Sequence, residues 1–365
     1  MRALFWRNFD FLLFGAVVLA SAFGTMMIRS AIAGNANLAG YDTRQAYFAA
    51  AGALVIVLLA SIDYRYWLSI HWPIYIVMML VLMSLSGLGQ AAFGAQRWFQ
   101  VGVLFIQPTE FAKIVVILAL ARYFDRTQHD AHDLKWLLKS LAWVWGLVIW
   151  ILLQPNLSNV IVTMFIWASM VWMNRAPMRL IAWIALVAIA IAVFAFPFLE
   201  PYQQARVINF ALPDPQARTG ATYNVLQALI AIGSGGLFGK GYGHGTQTQL
   251  RFMKVRHTDF IFSVTAEEFG MIGAVLIVII EAFVIYRCLR AAQKSADLAG
   301  AMIAYGVAML VFFQSATNIA VNLRLIPVSG LPLPFISYGG SGLMALMIGV
   351  GLVESVVMRH KELEF

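Results

Sequence analysis

Acidic residues are scarce in this chain, yet three of its 17 fall in the stretch R-H-T-D-F-I-F-S-V-T-A-E-E, residues 256–268. Asp259, Glu267 and Glu268 crowd the head of an apolar run. Asp259 there suits a general base on a hydroxyl, a ligand to a cation that handles a diphosphate, or a helix cap. Glu267 and Glu268 are adjacent on a helix and about 100° apart, so both cannot face lipid. A second candidate is Q-P-T-E-F-A-K, residues 107–113. Pro108 suits the first turn of a helix, and Glu110 and Lys113 share one of its faces. They read either as an internal ion pair at a capped helix start or as a functional pair, since ionisable groups in spans are costly and mark sites. Arg97 suits an anionic head group, and Trp98 beside it reads as an interfacial anchor.

Other stretches carry weaker signals. The run G-S-G-G-L-F-G-K-G-Y-G-H-G, residues 233–245, fails the phosphate-loop pattern: Ser234 replaces its first glycine and Gly241 its Ser or Thr after Lys240. It is either a turn that folds a loop back onto the membrane or a backbone cradle for phosphate. His244 and His257 lack metal-ligand spacing. In P-V-S-G-L-P-L-P-F-I-S-Y-G-G-S-G, residues 327–342, three prolines exclude a regular helix. Such backbone near membrane depth must be buried in protein or line a cavity.

Composition says which elements position these residues. The chain is 61% apolar with only 12% charged residues and a mean hydropathy of +0.80, against roughly 25% charged in soluble domains. Ten apolar segments are expected as spans, at 9–28, 46–62, 73–88, 109–124, 138–153, 159–173, 179–199, 260–286, 299–322 and 340–358. The fold expected is an all-α integral membrane protein, one polytopic domain over 1–365 with a long extracytoplasmic loop at about 200–258 between helices 7 and 8. Fourteen of the 25 Lys and Arg lie in segments on the amino-terminal side of the membrane and four in the short segments opposite, which predicts both termini in the cytoplasm. The first span follows Arg2 and Arg7 without a clear cleavage site and reads as retained. The formal charge of +8 therefore encodes orientation rather than nucleic-acid binding, and the lone Cys288 offers no disulfide framework or thiolate cluster.

This topology brings residues 96–113, 154–159 (Q-P-N-L-S-N), the end of the long loop and 327–342 to the same outer face. The loop holds six basic residues, Arg206, Arg218, Lys240, Arg251, Lys254 and Arg256, against Glu200 and Asp214. An outer-face site has no ATP or nucleotide sugar, so an activated substrate must arrive in the membrane, as lipid-linked sugar diphosphates do. A diphosphate leaves without protonation; only the attacking hydroxyl needs a base, and cations must receive the leaving group.

The motifs G-A-Q-R-W-F (94–99), Q-P-T-E-F-A-K (107–113), Y-N-V-L-Q-A-L-I-A-I-G-S-G-G-L-F-G-K-G (223–241), G-T-Q-T-Q-L (245–250), H-T-D-F-I-F-S-V-T-A-E-E-F-G (257–270) and P-L-P-F-I-S-Y-G-G-S (332–341) occur in order along essentially the whole chain. In them the sequence resembles the SEDS family (shape, elongation, division and sporulation), most closely its RodA members. G-T-Q-T-Q-L is more like RodA than the division paralogue FtsW. The resemblance implies a ten-helix peptidoglycan glycosyltransferase in the bacterial inner membrane that polymerises lipid II at its outer face during elongation. The implied partner is a class B penicillin-binding protein, and a divalent cation (Mg or Mn) is the implied cofactor. By motif, Asp259 matches the family's essential aspartate, and Glu110 and Lys113 its acidic and basic positions. The catalytic set expected is Asp259, Glu110 and Lys113; Arg97, Trp98, Lys240, Arg251, Arg256 and Ser337 are expected to bind lipid II and the lipid-linked strand. Two departures stand out: Asn156 replaces the acid of the family's Q-P-D-L-G-T, and Val255-Arg256 replaces Pro-Glu ahead of H-T-D-F. A lipid transporter and a scaffold for the penicillin-binding protein are the competing readings.

Overall fold

The computed structural model describes residues 6–88, 90–92, 95–101, 104–130, 132–212 and 220–359. Arg2 and Lys361, used above for orientation, and Asp214 and Arg218 of the long loop lie outside the described residues. A helix coincides with each of the ten expected spans. They are α1 (Phe11–Ile32), α2 (Tyr41–Ser61), α4 (His71–Leu88), α5 (Pro108–Arg126), α6 (Leu134–Leu153), α7 (Leu157–Met173), α8 (Met178–Ala195), α12 (Ile261–Lys294), α13 (Leu298–Asn322) and α14 (Gly340–Met358). The short helices α3 (Tyr64–Ser69), α9 (Pro201–Ala211), α10 (Gly220–Gly235) and α11 (Thr246–Gln249) connect them. Among the described residues, six helices are long and apolar enough to cross a membrane by length and composition. The chain is a multi-pass, all-α membrane protein.

Helix starts follow local chemistry. Asp10, Asp133 and Asp297 accept from Leu13, Trp136 and Gly300 backbone N–H at 3.0, 2.8 and 2.8 Å, satisfying first-turn donors that have no intrahelical partner. The Asp133 cap explains why α6 begins before the expected residue 138. Glu200 and Gln203 form a capping box on α9, with Pro201 in its first turn. Inside the bundle, α13 packs on α12, α5, α7 and α14, while α14 packs on α2. Exposed Trp183, Leu186, Ile191 and Phe194 leave α8 at the periphery, as a lipid-facing helix should be.

One feature departs from an all-helical chain. Between α4 and α5, strands β1 (Gln90–Ala92), β2 (Ala95–Val101) and β3 (Leu104–Ile106) form an antiparallel sheet in the order β1-β2-β3. Phe99 pairs with Ile106 and Gln90 with Trp98, so Arg97 and Trp98 sit on the middle strand.

Helix α12 is broken at Gly270, whose φ of 68° and ψ of −161° are non-helical. Residues 271–294 alone rise about 36 Å, enough to span the hydrocarbon core. The preceding arm, 261–269, carries Glu267 and Glu268. The break strands backbone groups that lipid cannot satisfy, and the glycine-rich run satisfies them. Lys240 and Gly241 N–H donate to the carbonyls of Glu267 and Glu268 at 3.0 and 2.9 Å, and Met271 and Ile272 N–H donate to Gly236 and Leu237 at 2.8 and 3.3 Å. A Cβ on Gly239 would overlap the Glu268 carbonyl. The run is thus a backbone splice into a broken helix, and its N–H groups are not arrayed for phosphate. Gly239→Ala is expected to abolish a monodisperse, cooperatively melting protein. Gly233→Ala, on α10 with nothing within 4 Å of the new methyl, should be neutral or stabilising by up to about 1 kcal/mol, as a thermal melt in detergent can check.

Candidate active site

Asp259 closes the turn before α12. Val255 O accepts its N–H at 3.1 Å, and its own carbonyl accepts from Asn318 Nδ2 at 3.0 Å and Asn322 Nδ2 at 2.9 Å. Asn322 Oδ1 accepts from Ser263 N–H and Oγ at 3.2 and 2.6 Å, while Asn318 Nδ2 also donates to Leu331 O at 2.8 Å. Two asparagines one turn apart on α13 therefore fix Asp259, the start of α12 and the 327–342 segment together. The residue preceding α12 is Phe260, whose own side chain makes no capping hydrogen bond. Asp259 is not its cap, and its carboxylate is left to meet other groups.

Those groups come from α9 and the proline-rich segment. A Cβ built on Gly330 would lie 3.8 Å from Asp259 Oδ2 and 3.9 and 4.0 Å from the two terminal nitrogens of Arg206. Gly330 thus floors a gap with the carboxylate and the guanidinium on its walls. Arg206 Nη1 donates to Ser329 O at 3.2 Å, and Ser158 Oγ donates to the same carbonyl. Burial pushes the Asp259 pKa up from the ordinary carboxylate value, while the Thr258 hydroxyl and the Arg206 charge pull it down. His257 is depressed to about 4 by burial and by Arg256, so it is neutral at pH 7 and adds no cation.

A second cation reaches the same region from β2. Arg97 donates through Nε to Gln154 O at 3.0 Å and through Nη2 to Pro155 O and Tyr202 Oη. Tyr202 Oη and Gln203 Nε2 also donate to the Pro155 carbonyl, at 2.6 and 3.3 Å. Both Arg97 and Arg206 lie over the Tyr202 ring, 5.9 and 5.7 Å from its centroid. One face of α9, Tyr202 and Arg206, thereby ties the sheet, the Q-P-N-L-S-N turn and the Asp259 gap together. Trp98 follows Arg97 on the strand, half-buried. Asn156 is buried with Nδ2 unpartnered.

Glu110 and Lys113 are next to this region but locked. Lys113 Nζ donates to Glu110 Oε2 at 2.7 Å and to Asn159 Oδ1 at 3.1 Å, and Asn159 Nδ2 donates to Thr109 Oγ1 at 3.1 Å. Both charged side chains are buried, and Asn159 follows the Ser158 that holds Ser329.

Four of the residues expected to bind substrate also make internal contacts. Lys240 Nζ donates to Glu267 Oε1 at 2.9 Å and to the hydroxyls of Ser234 and Thr246 at 2.8 Å each. Glu267, fully buried, also accepts from Thr246 Oγ1, Gln247 N–H, Thr248 N–H and Thr248 Oγ1; the start of α11 is wrapped around it. Arg251 donates to Gly34 O, and Arg256, itself buried, to Ala31 O at the end of α1 and Met253 O. Ser337 Oγ donates to Thr258 O at 2.6 Å and accepts from Leu333 N–H at 2.9 Å, pinning the proline-rich segment to the Asp259 turn. Among the described residues, no group of three or more His, Cys, Asp or Glu side chains is disposed to hold a metal ion.

In the sequence Arg206 stands out only as loop charge, and Tyr202, Asn318 and Asn322 belong to none of the motifs quoted above. The capping box at Glu200, and polar Asn318 and Asn322 inside an apolar span, were the signals available. Glu110→Gln, which leaves buried Lys113 without its counter-charge, is expected to lower stability by about 3–5 kcal/mol. Glu110→Gln/Lys113→Met should recover most of it; equal melting temperatures for wild type and Glu110→Gln would show that the pair contributes nothing to folding.

The family profile described as "Cell cycle protein", covering FtsW, RodA and SpoVE, matches residues 2–362. "Peptidoglycan glycosyltransferase MrdB" of Escherichia coli strain K12 is 36% identical over 316 residues, 86% of this chain and 85% of that protein. The Thermus thermophilus rod shape determining protein RodA, a crystal structure, superposes with a TM-score of 0.73 at 29% identity, covering 97% of this chain and 98% of that one. A chain from a peptidoglycan synthase complex, solved for the coordination of polymerization and crosslinking, gives a TM-score of 0.80 at 28% identity over 96% and 97% of the two chains. The matched residues run through the sheet that carries Arg97, the Asp259 turn and the proline-rich segment, and with them the chain belongs to the FtsW/RodA/SpoVE family.

Proposed function

We propose that this protein is a peptidoglycan glycosyltransferase that polymerises lipid II into glycan strands at the outer face of the bacterial inner membrane, in elongation and shape maintenance, with both termini in the cytoplasm. The observation that carries the reading is the Asp259–Arg206 gap over Gly330, which sets one carboxylate beside one cation. In the reaction, Asp259 takes the proton from the acceptor sugar hydroxyl as its oxygen attacks the donor's anomeric carbon. The bond from that carbon to the diphosphate oxygen breaks, and the diphosphate leaves with the electron pair. Arg206, with Arg97 beyond Tyr202, supplies positive charge for the departing group, an electrostatic role worth most where water is excluded. Trp98, half-buried beside Arg97, is assigned to the lipid head-group region. Glu110 and Lys113 act by holding the start of α7 in place.

A divalent cation, Mg or Mn, would be held by the substrate's own diphosphate oxygens, the hard donors such cations commonly use, leaving the Asp259 carboxylate to take the proton. It would add positive charge at the leaving group. The partner proposed is a class B penicillin-binding protein that crosslinks the strands; the relative solved within a synthase complex supports it.

The test is strand formation from labelled lipid II by the reconstituted complex, with the partner's transpeptidase inactivated. Asp259→Asn should fold normally and make no polymer; polymer from that variant removes Asp259 from the mechanism, and lipid translocation without polymer favours a transporter. The rate should also fall on acidification around a pH above the ordinary carboxylate range, because the base must be ionised and burial raises its pKa. Arg206 favours the ionised form, so Arg206→Gln should move that acidic limb to higher pH. An unmoved limb would contradict the pairing.

A further inference from the structure

A cavity lies at the opposite end of the bundle from Asp259. It has a volume of about 350 Å³ and is formed where the start of α1 meets the last turns of α12, with Val357 of α14 on its wall. Arg287, Arg290 and Lys294 line it; at spacings of three and four residues they share one face of α12. From the start of α1 and the two residues before it come Phe9, Asp10, Phe11 and Leu12.

The charges do not cancel. Arg287 donates through Nε to Asp10 Oδ2 at 2.7 Å, with Nη2 on the same oxygen, and Asp10 N–H donates to Glu354 Oε2 at 2.9 Å. Asp10 is thus matched by Arg287. Among the described residues, Arg290 and Lys294 have no carboxylate partner, and Asp10 is the one acid lining the cavity. The opposite wall is apolar and open to the membrane: Phe11 is 68% and Leu12 61% exposed, on the first turn of a membrane-spanning helix. A ligand that fits must carry negative charge at one end, against α12, and long apolar chains at the other, along α1.

We propose that this cavity binds the phosphodiester head group of an anionic phospholipid from the leaflet opposite the active site, its acyl chains lying over Phe11 and Leu12. Basic recesses between spanning helices suit such head groups; an anionic lipid offsets one of the two unmatched positive charges, whereas a zwitterionic lipid, with no net charge, offsets neither. The bound lipid would bridge α1 to α12, the helix whose far end supports the Asp259 turn.

The test uses the purified full-length protein in detergent with an equimolar mixture of phosphatidylglycerol and phosphatidylcholine, read by native mass spectrometry. Phosphatidylglycerol should be retained preferentially. Arg290→Gln/Lys294→Gln should weaken that retention roughly 30-fold, from the contribution of two surface cations, with an unchanged thermal melt because neither side chain holds an internal carboxylate. Arg290→Lys/Lys294→Arg, which keeps the charge, should retain it, as should Lys135→Gln/Lys139→Gln, which removes the same charge at the start of α6. Equal retention of the two lipids, undiminished phosphatidylglycerol binding by Arg290→Gln/Lys294→Gln, or the same loss in Lys135→Gln/Lys139→Gln would overturn the proposal. Displacement of the lipid by inorganic phosphate would also overturn it, by making the cavity a site for the free ion.

Discussion

A carboxylate that is to act as a base beside a membrane must remain ionised while much of its water is taken away. Burial works against ionisation, and only a nearby cation or hydrogen-bond donor restores it. Asp259 meets both influences: burial raises its pKa, and Thr258 and Arg206 hold it down. The balance depends on geometry, because Arg206 arrives on a helix more than fifty residues earlier in the chain. Much of the architecture around the site serves to keep that arginine and that aspartate facing each other across Gly330.

Three devices do this. Asn318 and Asn322, carried on the central helix α13, grip the Asp259 carbonyl and the first turn of α12. Ser158 and Arg206 share the Ser329 carbonyl, which joins α7 and α9 to the proline-rich segment. The third is the break in α12. Its interrupted hydrogen bonds are completed by residues 236–241, and Lys240, Thr246 and Thr248 close around Glu267. Backbone exposed by such a break would be intolerable in lipid. The glycines therefore answer to close packing, and the glutamates at the head of α12 serve the scaffold that supports the reacting carboxylate.

Helix positions were legible in the sequence because apolar runs of the right length, bounded by Asp10, Asp133 and Asp297, admit few other structures in a membrane. Asp259, Arg97 and the Glu110–Lys113 pair were visible because charged residues are rare enough here for each to need a reason. The partners of the loop charges were not visible. Lys240 and Arg256 read as cations awaiting an anionic substrate, but one meets Glu267 and the other the carbonyl end of α1. Both contacts join segments whose approach only the tertiary fold decides. The strands at 90–106 escaped notice for a related reason. They are short, and β1 and β3 have three residues each, too few for a period-two pattern to emerge.

The most direct measurement is the ionisation of Asp259 itself, followed by the 13C resonance of its carboxyl carbon in aspartate-labelled protein, with Asp259→Asn to assign the signal. The account predicts a midpoint above the ordinary aspartate value of about 3.9 that rises further when Arg206 is replaced by glutamine. A midpoint at or below that value, or one indifferent to residue 206, would contradict it.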